Sequence, residues 1–320
     1  MTPNTSKDEK RKTQLTTLFS KLPVLPTTVV GSYPTVPAKT LAERARHFAD
    51  PLKASVNIAV QEQIDAGISI ISDGQIRGDM IGTFASKLPG IREKNVIGPV
   101  KPASQYITVA DTKYALSKHP FVKGIITGPS TLTYGLHLNT SQYRDKKELT
   151  VDITTALLRE AHGLCQTGIS ILQLDEPIFS IGVSDLTIGK EAIQRFRDEI
   201  PLPLCLHVCG PVHTIIDEYI SMPVDILDLE GTQDAQNLSV LSRNELKGRY
   251  IGYGCVDTTK PVLETVQDII SRVEQALEHI SPQQILLDPD CGMRMLPHAI
   301  AQEKIIRLCT AAKSIRESIM

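Results

Sequence analysis

The chain has 320 residues, of which 41% are hydrophobic and 22% charged, a composition typical of a protein with a large folded core. Its net charge of −2 gives no general attraction to nucleic acids or anionic membranes. With no tryptophan and 4% aromatic residues, it also offers few side chains for stacking on bases. We therefore expect neither nucleic acid nor membrane as a partner.

Targeting signals and disulfides are not expected. The first dozen residues are polar and charged, with no apolar segment behind them. No run reaches the roughly 18 apolar residues of a membrane span, so the expected location is cytoplasmic. The six cysteines are scattered over the chain, unlike a secreted disulfide framework, which favours metal binding or plain burial for each.

Eight short aliphatic or β-branched runs follow an N-terminal arm that we assign to residues 1–21. Near-continuous apolar runs are typical of strands buried on both faces of a parallel sheet. In chain order they are Thr27–Ser32, Ile68–Gly74, Gly124–Pro129, Ile169–Pro177, Leu202–Gly210, Val224–Gly231, Tyr250–Asp257 and Gln284–Gly292. Helical patterns at Thr150–Gly168, Pro261–Ile280 and His298–Ile319 lie after three of them, and Thr258 or Thr259 can cap the second.

This alternation predicts an α/β fold with a single (β/α)₈ TIM barrel over residues 22–320. A doubly wound open sheet is the alternative, but the chain has no glycine-rich dinucleotide loop. The stretch Leu88–Lys118 is long for one connection and is expected near the barrel mouth. The N-terminal arm is expected to be either loose or a helix lying on the barrel.

Distinctive polar residues stand at the carboxyl ends of these runs. They are Ser32, Asp73, Gln75, Thr127, Asp175, Glu176, His207, Cys209, Glu230, Asp257 and Cys291. Barrel active sites occupy that end, whereas the opposite end serves stability. The pattern therefore predicts one active site built from many strand ends.

Four of these residues predict a metal site. On a strand, His207 and Cys209 point to the same side, and Glu230 and Cys291 follow later strands. Imidazole, thiolate and carboxylate are ligands that Zn²⁺ accepts in a tetrahedral site. A histidine and a cysteine alone are as often ordinary core residues, so the interpretation depends on all four converging.

Three further motifs leave their alternatives open. At Asp175-Glu176-Pro177 a carboxylate can bind a substrate ammonium, act as a base or cap a helix. The small residues Gly31 and Ser32 let backbone N–H groups approach an anion, but a plain turn has the same pattern. The segment Asp73–Met80 is either a substrate loop or a salt-bridged turn.

Taken together, the motifs resemble those of a known family. The chain is similar to the catalytic C-terminal half of cobalamin-independent methionine synthase, and more closely to the short core methionine synthases of archaea and some anaerobic bacteria. The matching stretches run in family order over about residues 27–295. They are Val30–Pro34, Asp73–Gln75, Arg77–Met80, Thr127–Pro129, Gln173–Pro177, Leu206–Gly210, Glu230, Gly254–Asp257 and Asp288–Gly292.

The resemblance implies a TIM-barrel methyltransferase that converts L-homocysteine to L-methionine. It places zinc on His207, Cys209, Glu230 and Cys291. It assigns the homocysteine carboxylate to Ser32 and the adjacent backbone at Gly31, and the amine to Asp175, which with the zinc ligands forms the expected catalytic set. A family glutamate that also binds the amine aligns with Gln75 or with a residue next to it. Because glutamine has no charge, Asp175 is expected to contribute more to binding the amine. Contacts with the methyl donor are expected at Tyr134 and Asp257.

Departures from the family indicate the donor. Residues that contact folate in the folate-using enzymes align with Gly135, Ile181 and Thr259, and the last replaces a histidine that protonates the leaving nitrogen. A methyltetrahydrofolate donor needs such a general acid, whereas methylcobalamin leaves as Co(I) without a proton. The expected donor is therefore methylcobalamin or a methylated corrinoid protein. The alternatives are methyltetrahydrofolate as donor, another thiol such as coenzyme M as acceptor, and a structural zinc in a binding scaffold.

Overall fold

A parallel sheet of six strands forms most of a barrel in the computed structural model, which describes residues 3–37, 48, 50–241, 246 and 248–319. The strands in chain order are β1 Ile91–Arg92, β2 Asn95–Val96, β3 Lys123–Thr127, β4 His137–Leu138, β5 Ile171–Asp175, β6 Leu204–Val208, β7 Ile226–Glu230, β8 Tyr250–Val256 and β9 Ile285–Pro289. The six-stranded sheet has the order β3-β5-β6-β7-β8-β9. Every residue of β3, β5, β6, β7 and β9 is buried, as their near-continuous apolar sequences predict.

Two short extended segments close this sheet into a ring. Thr27 pairs with Leu287 of β9, and Thr28 pairs with Ile70. Ile71 then pairs with Val122, just before β3, and its carbonyl accepts from the Lys123 N–H at 2.9 Å. All eight predicted runs thus contribute to a closed parallel barrel, and the prediction of a (β/α)₈ fold is confirmed.

Helices surround the barrel in the described residues. They are α1 Pro3–Lys21, α2 Lys53–Ala66, α3 Met80–Ala85, α4 Val109–Leu116, α5 Pro129–Tyr134, α6 Lys146–Cys165, α7 Leu186–Glu199, α8 Ile216–Ile220, α9 Ala235–Leu241, α10 Val266–Leu277 and α11 His298–Ile319. The predicted bounds of α11 are confirmed. The helix predicted at Thr150–Gly168 begins earlier, because the Asp145 side chain accepts the Glu148 N–H and caps α6.

The predicted start of the helix at Pro261 was wrong. A capping box formed by Thr265 and Asp268 begins α10 at Val266, so neither Thr258 nor Thr259 is its cap. Thr259 instead donates both its N–H and its hydroxyl to Asp257 at 2.7 Å. The sequence after β8 is therefore a loop before it becomes a helix.

The N-terminal arm forms α1, which covers the amino-terminal end of the barrel. Leu15 and Leu18 share a hydrophobic cluster with residues near the starts of the barrel strands, including Ile171 and Ile226. Arg11 is fully buried and donates to the carbonyl of Ile200 at 2.8 Å. The helix lies opposite the end at which the polar strand-end residues gather, while the domain division at residue 21 stays a prediction.

The long connection after α3 lies at the barrel mouth, as predicted. Strands β1 and β2 of this connection form a small sheet with β4, which comes later in the chain, and α4 follows β2. Ile107, Thr108 and Asp111 from this connection line the cavity described below. None of the helices in the described part of the chain is both long and apolar enough to cross a membrane.

Candidate active site

A cavity of ≈ 340 Å³ opens at the carboxyl ends of the barrel strands. Its wall includes seven of the residues that the sequence singled out: Ser32, Asp73, Gln75, Asp175, His207, Cys209 and Cys291. These side chains come from five different strand ends, which is the arrangement that active sites have in this fold. The cavity is therefore the candidate active site.

Three possible metal ligands converge in this cavity. One ligand atom each from His207, Cys209 and Cys291 lies within 4.8 Å of the others. The Nε2 atom of His207 is buried and has no hydrogen-bond partner among the described residues. A buried imidazole nitrogen left unpaired beside two sulfur atoms fits a metal ion that accepts nitrogen and sulfur ligands.

Asp228 orients the imidazole of His207. Its Oδ1 lies 2.8 Å from Nδ1 of His207, and both side chains are buried. Burial opposes the charged imidazole, but the carboxylate of Asp228 together with the neighbouring Cys209 and Cys291 outweighs it and raises the pKa of His207. Gly252 leaves room for Asp228, since a Cβ at Gly252 would lie 2.7 Å from the Asp228 Cγ. Because Nδ1 is paired with Asp228, Nε2 is the nitrogen of His207 that faces the sulfur atoms.

Glu230 lies near the three ligands but outside their cluster in the described structure. It ends β7, is buried, and its carboxylate accepts a hydrogen bond from the Gly210 backbone. Burial raises the pKa of Glu230, and Cys291 adds to the effect. Asn237 donates to the carbonyls of both Gly210 and Glu230 at 3.0 Å and so holds the ends of β6 and β7 together. The role of Glu230 as a ligand stays a prediction.

The two carboxylates at the end of β5 have different tasks. Asp175 lines the cavity, and burial raises its pKa to about 6, against the opposing effects of His207 and Gln173. Glu176 points away, accepting the N–H groups of Ser130 at 2.9 Å and Thr131 at 2.6 Å. Glu176 therefore caps α5, and Asp175 is the carboxylate available to a ligand.

The loop after Thr28 touches the loop that carries Cys291. The carbonyl of Ser32 accepts the Met293 N–H at 2.8 Å, and a Cβ at Gly292 would lie 2.1 Å from the Ser32 Oγ. A Cβ at Gly31 would lie 2.7 Å from Oε1 of Gln75, so glycine permits the close approach of these two segments. Ser32 and Gln75 both line the cavity beside Cys291.

The segment Asp73–Met80 is both a cavity wall and a salt-bridged turn. Arg77 pairs with Asp50 at 2.7 Å and also with Asp111. Gln75 has a φ of 46°, a strained conformation that the Asp73 carboxylate supports by accepting the Gln75 N–H at 2.9 Å. Burial raises the pKa of Asp73 to about 6.

The predicted donor contacts are not part of the cavity wall. Neither Tyr134 nor Asp257 lines the cavity, and their role stays a prediction. Of the three positions that depart from folate-using enzymes, Ile181 and Thr259 are exposed. Gly135 is packed so closely that a Cβ would lie 2.5 Å from the Ile81 Cδ1.

Sequence reasoning missed the second layer beneath the site. Asp228 and Gln173 each stand two residues before a predicted site residue on the same strand, so their side chains face the same side as Glu230 and Asp175. Polar residues at such positions inside apolar runs are the signal that would have identified them.

Comparisons with known proteins identify the family of this chain. A model of the catalytic domain of cobalamin-independent synthases matches residues 25–314. The methionine synthase of Methanothermobacter marburgensis is 36% identical over 304 residues, which cover 89% of this chain and 98% of the relative. The methionine synthase of Methanocaldococcus jannaschii is 37% identical over 311 residues, covering 91% of this chain and 99% of the relative.

A solved structure confirms the fold. A B12-independent methionine synthase from Shewanella sp. W3-18-1, in complex with selenomethionine, superimposes with a TM-score of 0.81 at 22% identity and covers 92% of this chain and 99% of that one. The description of the family as cobalamin-independent lends no support to the expected methylcobalamin donor. With a family model over most of its length and relatives above one-third identity, the chain belongs to the cobalamin-independent methionine synthases and is a methyltransferase.

Proposed function

We propose that this chain methylates the thiol of L-homocysteine to give L-methionine, with Zn²⁺ held by His207, Cys209, Cys291 and Glu230. One observation carries the proposal: three side chains that could hold a metal ion, His207, Cys209 and Cys291, line the same cavity as the carboxylate of Asp175. A thiol and an ammonium on one small substrate need these two partners close together. The family membership supports the same substrate.

The bound zinc would supply the Lewis acidity that keeps a thiol deprotonated at neutral pH, where a free thiol with a pKa near 8.5 is mostly protonated. Methyl transfer then forms a bond from sulfur to the methyl carbon and breaks the bond from that carbon to the donor. The electron pair of the broken bond leaves with the donor. The protein therefore has to hold the thiol and the methyl donor in line and to exclude competing nucleophiles.

Each end of the amino acid has a partner in this chain. The Asp175 carboxylate binds the substrate ammonium, and Ser32 with the backbone at Gly31 binds the carboxylate. Gln75 offers a carbonyl oxygen to the ammonium and no charge. This pair of sites favours an amino-acid thiol over coenzyme M, which has no ammonium for Asp175 to bind.

The remaining alternative is a structural metal in a binding scaffold. The candidate ligands His207, Cys209 and Cys291 line an open cavity together with Asp175 and Ser32. A metal that a substrate can reach in this way is typical of a catalytic site rather than a structural one. Removing the metal should leave this barrel folded but inactive. Unfolding on metal removal would support the scaffold.

For the donor we propose methylcobalamin, free or carried by a corrinoid protein. Support comes from residues that lack an acidic proton to give: the Thr259 hydroxyl donates to Asp257, Ile181 is apolar, and Gly135 has no side chain. His137, an alternative proton source, is exposed on β4 and does not line the cavity. The family description lends this donor no support, so the proposal of a methylcobalamin donor depends on these residues alone.

A donor assay tests both parts of the proposal. The zinc-loaded chain is incubated with L-homocysteine and either methylcobalamin or methyltetrahydrofolate, and methionine is measured by mass spectrometry. We expect methionine from methylcobalamin and none from methyltetrahydrofolate. Methionine from methyltetrahydrofolate alone would overturn the donor and leave the acceptor in place. No methionine from either donor would overturn the proposed function.

A further inference from the structure

Three polar side chains form a buried line that ends at Asp175. The ammonium of Lys123, on β3, donates to Oε1 of Gln173, on the neighbouring strand β5. The Nε2 atom of Gln173 donates to Oδ1 of Asp175 at 2.7 Å and to the Val30 carbonyl at 2.7 Å. Lys123 is 3% exposed and Gln173 is fully buried, so neither side chain touches solvent enough to exchange these bonds for water.

Lys123 determines which way the Gln173 amide points. An ammonium group donates and never accepts, so the amide oxygen must face Lys123. The amide nitrogen then faces the opposite side, where both neighbours, Asp175 and the Val30 carbonyl, accept. A flipped amide would place its oxygen against two acceptors and lose all three bonds at once.

Two buried acidic side chains lie close to Lys123 as well. It lines a small internal cavity of ≈ 10 Å³ together with Asp228 and Asp288. Both carboxylate oxygens of Asp288 are buried and lack a hydrogen-bond partner among the described residues. Carboxyl groups beside a buried positive charge favour keeping the Lys123 ammonium at this position.

We propose that Gln173, with its amide oriented by Lys123, is the positioning residue of the substrate ammonium site. By occupying Oδ1 of Asp175, it leaves Oδ2, which accepts no hydrogen bond within the described structure, to face the substrate. The inference rests on the proposed function, since it requires a thiol substrate that carries an ammonium group.

The test compares two thiols in the wild type and in Gln173→Glu. The variant keeps the shape and the acceptor toward Lys123 but replaces the donor toward Asp175 with an oxygen. We expect the KM for L-homocysteine to rise about 10- to 100-fold, the effect of losing a hydrogen bond to a charged group, with kcat changed less than about threefold. For 4-mercaptobutanoate, which lacks the ammonium, we expect the same KM in both proteins.

A double variant separates positioning from general damage. With Asp175→Asn already present, the added Gln173→Glu change should leave the KM for homocysteine unaltered, because the amide introduced at position 175 can donate to the new carboxylate. Lys123→Met should raise the KM in the same direction. Lys304→Met, which removes another buried lysine paired with Glu264 at 3.1 Å, should lower the melting temperature without changing the KM for homocysteine.

The outcomes distinguish this inference from the proposed function. If the wild type binds homocysteine and Asp175→Asn weakens that binding, an unchanged KM for homocysteine in Gln173→Glu would overturn only the positioning role of Gln173. An equal loss for homocysteine and 4-mercaptobutanoate would also overturn it, because a structural defect acts on both thiols. Failure of the wild type to bind homocysteine would instead contradict the proposed function.

Discussion

Cys291→Ser is expected to lower methyl transfer to homocysteine by about 10³-fold or more, a loss of roughly 4 kcal/mol of transition-state stabilisation. A serine hydroxyl is a much poorer ligand than a thiolate for a borderline-soft metal, so zinc content should fall as well. The change touches a side chain that faces the cavity, so the barrel should stay folded. Zinc is measured by mass spectrometry, folding by thermal melting and activity by methionine formation.

Cys309→Ser is the matched control. This cysteine lies on α11, where its sulfur contacts the Thr27 hydroxyl at 3.7 Å, away from the cavity. Zinc content and activity should remain close to those of the wild type. Full activity in Cys291→Ser, or an equal loss of zinc in both variants, would contradict the assignment of Cys291 as a ligand.

The second large effect is expected for Asp175→Asn. Removing the charge while keeping the shape should raise the KM for homocysteine about 100-fold, near 2.7 kcal/mol, because an ammonium then faces a neutral amide in a buried site. Zinc content should not change, since Asp175 is not among the clustered ligands. The expected kcat at saturating homocysteine is close to that of the wild type.

Glu176→Gln is the control for this prediction, as it changes the adjacent carboxylate in the chain. Glu176 accepts two backbone N–H groups at the start of α5, so its loss should lower the melting temperature and leave the KM for homocysteine within about threefold. The assignment of the ammonium to Asp175 would fail if the two variants had the same KM.

The barrel and its active end were predictable because both follow from local pattern. Buried parallel strands need apolar residues on both faces, and the polar residues that interrupt this rule at Asp175, His207 and Cys291 stand out for that reason. The start of α10 was less predictable, since Thr258, Thr259 and Thr265 are all acceptable caps. Only the reciprocal bond with Asp268 selects the last of them.

The support beneath the site depends on register between strands, which a single sequence does not reveal. His207 lies opposite Asp228 because β6 and β7 pair in one particular register, and Gln173 meets Lys123 for the same reason across β3 and β5. A shift of one residue would turn these side chains to the other face. The distance of Glu230 from the ligand cluster and the position of Tyr134 outside the cavity depend equally on packing that no local pattern encodes.

The central claim is that this centre binds homocysteine through its sulfur as a thiolate. Proton release on mixing homocysteine with the protein at pH 7, followed with a pH indicator in weak buffer, tests it directly. We expect about one proton released per zinc-loaded site, because a mostly protonated thiol must lose its proton on binding, and none from the metal-free protein. Homocysteine binding without proton release, or equal release from the metal-free protein, would contradict it.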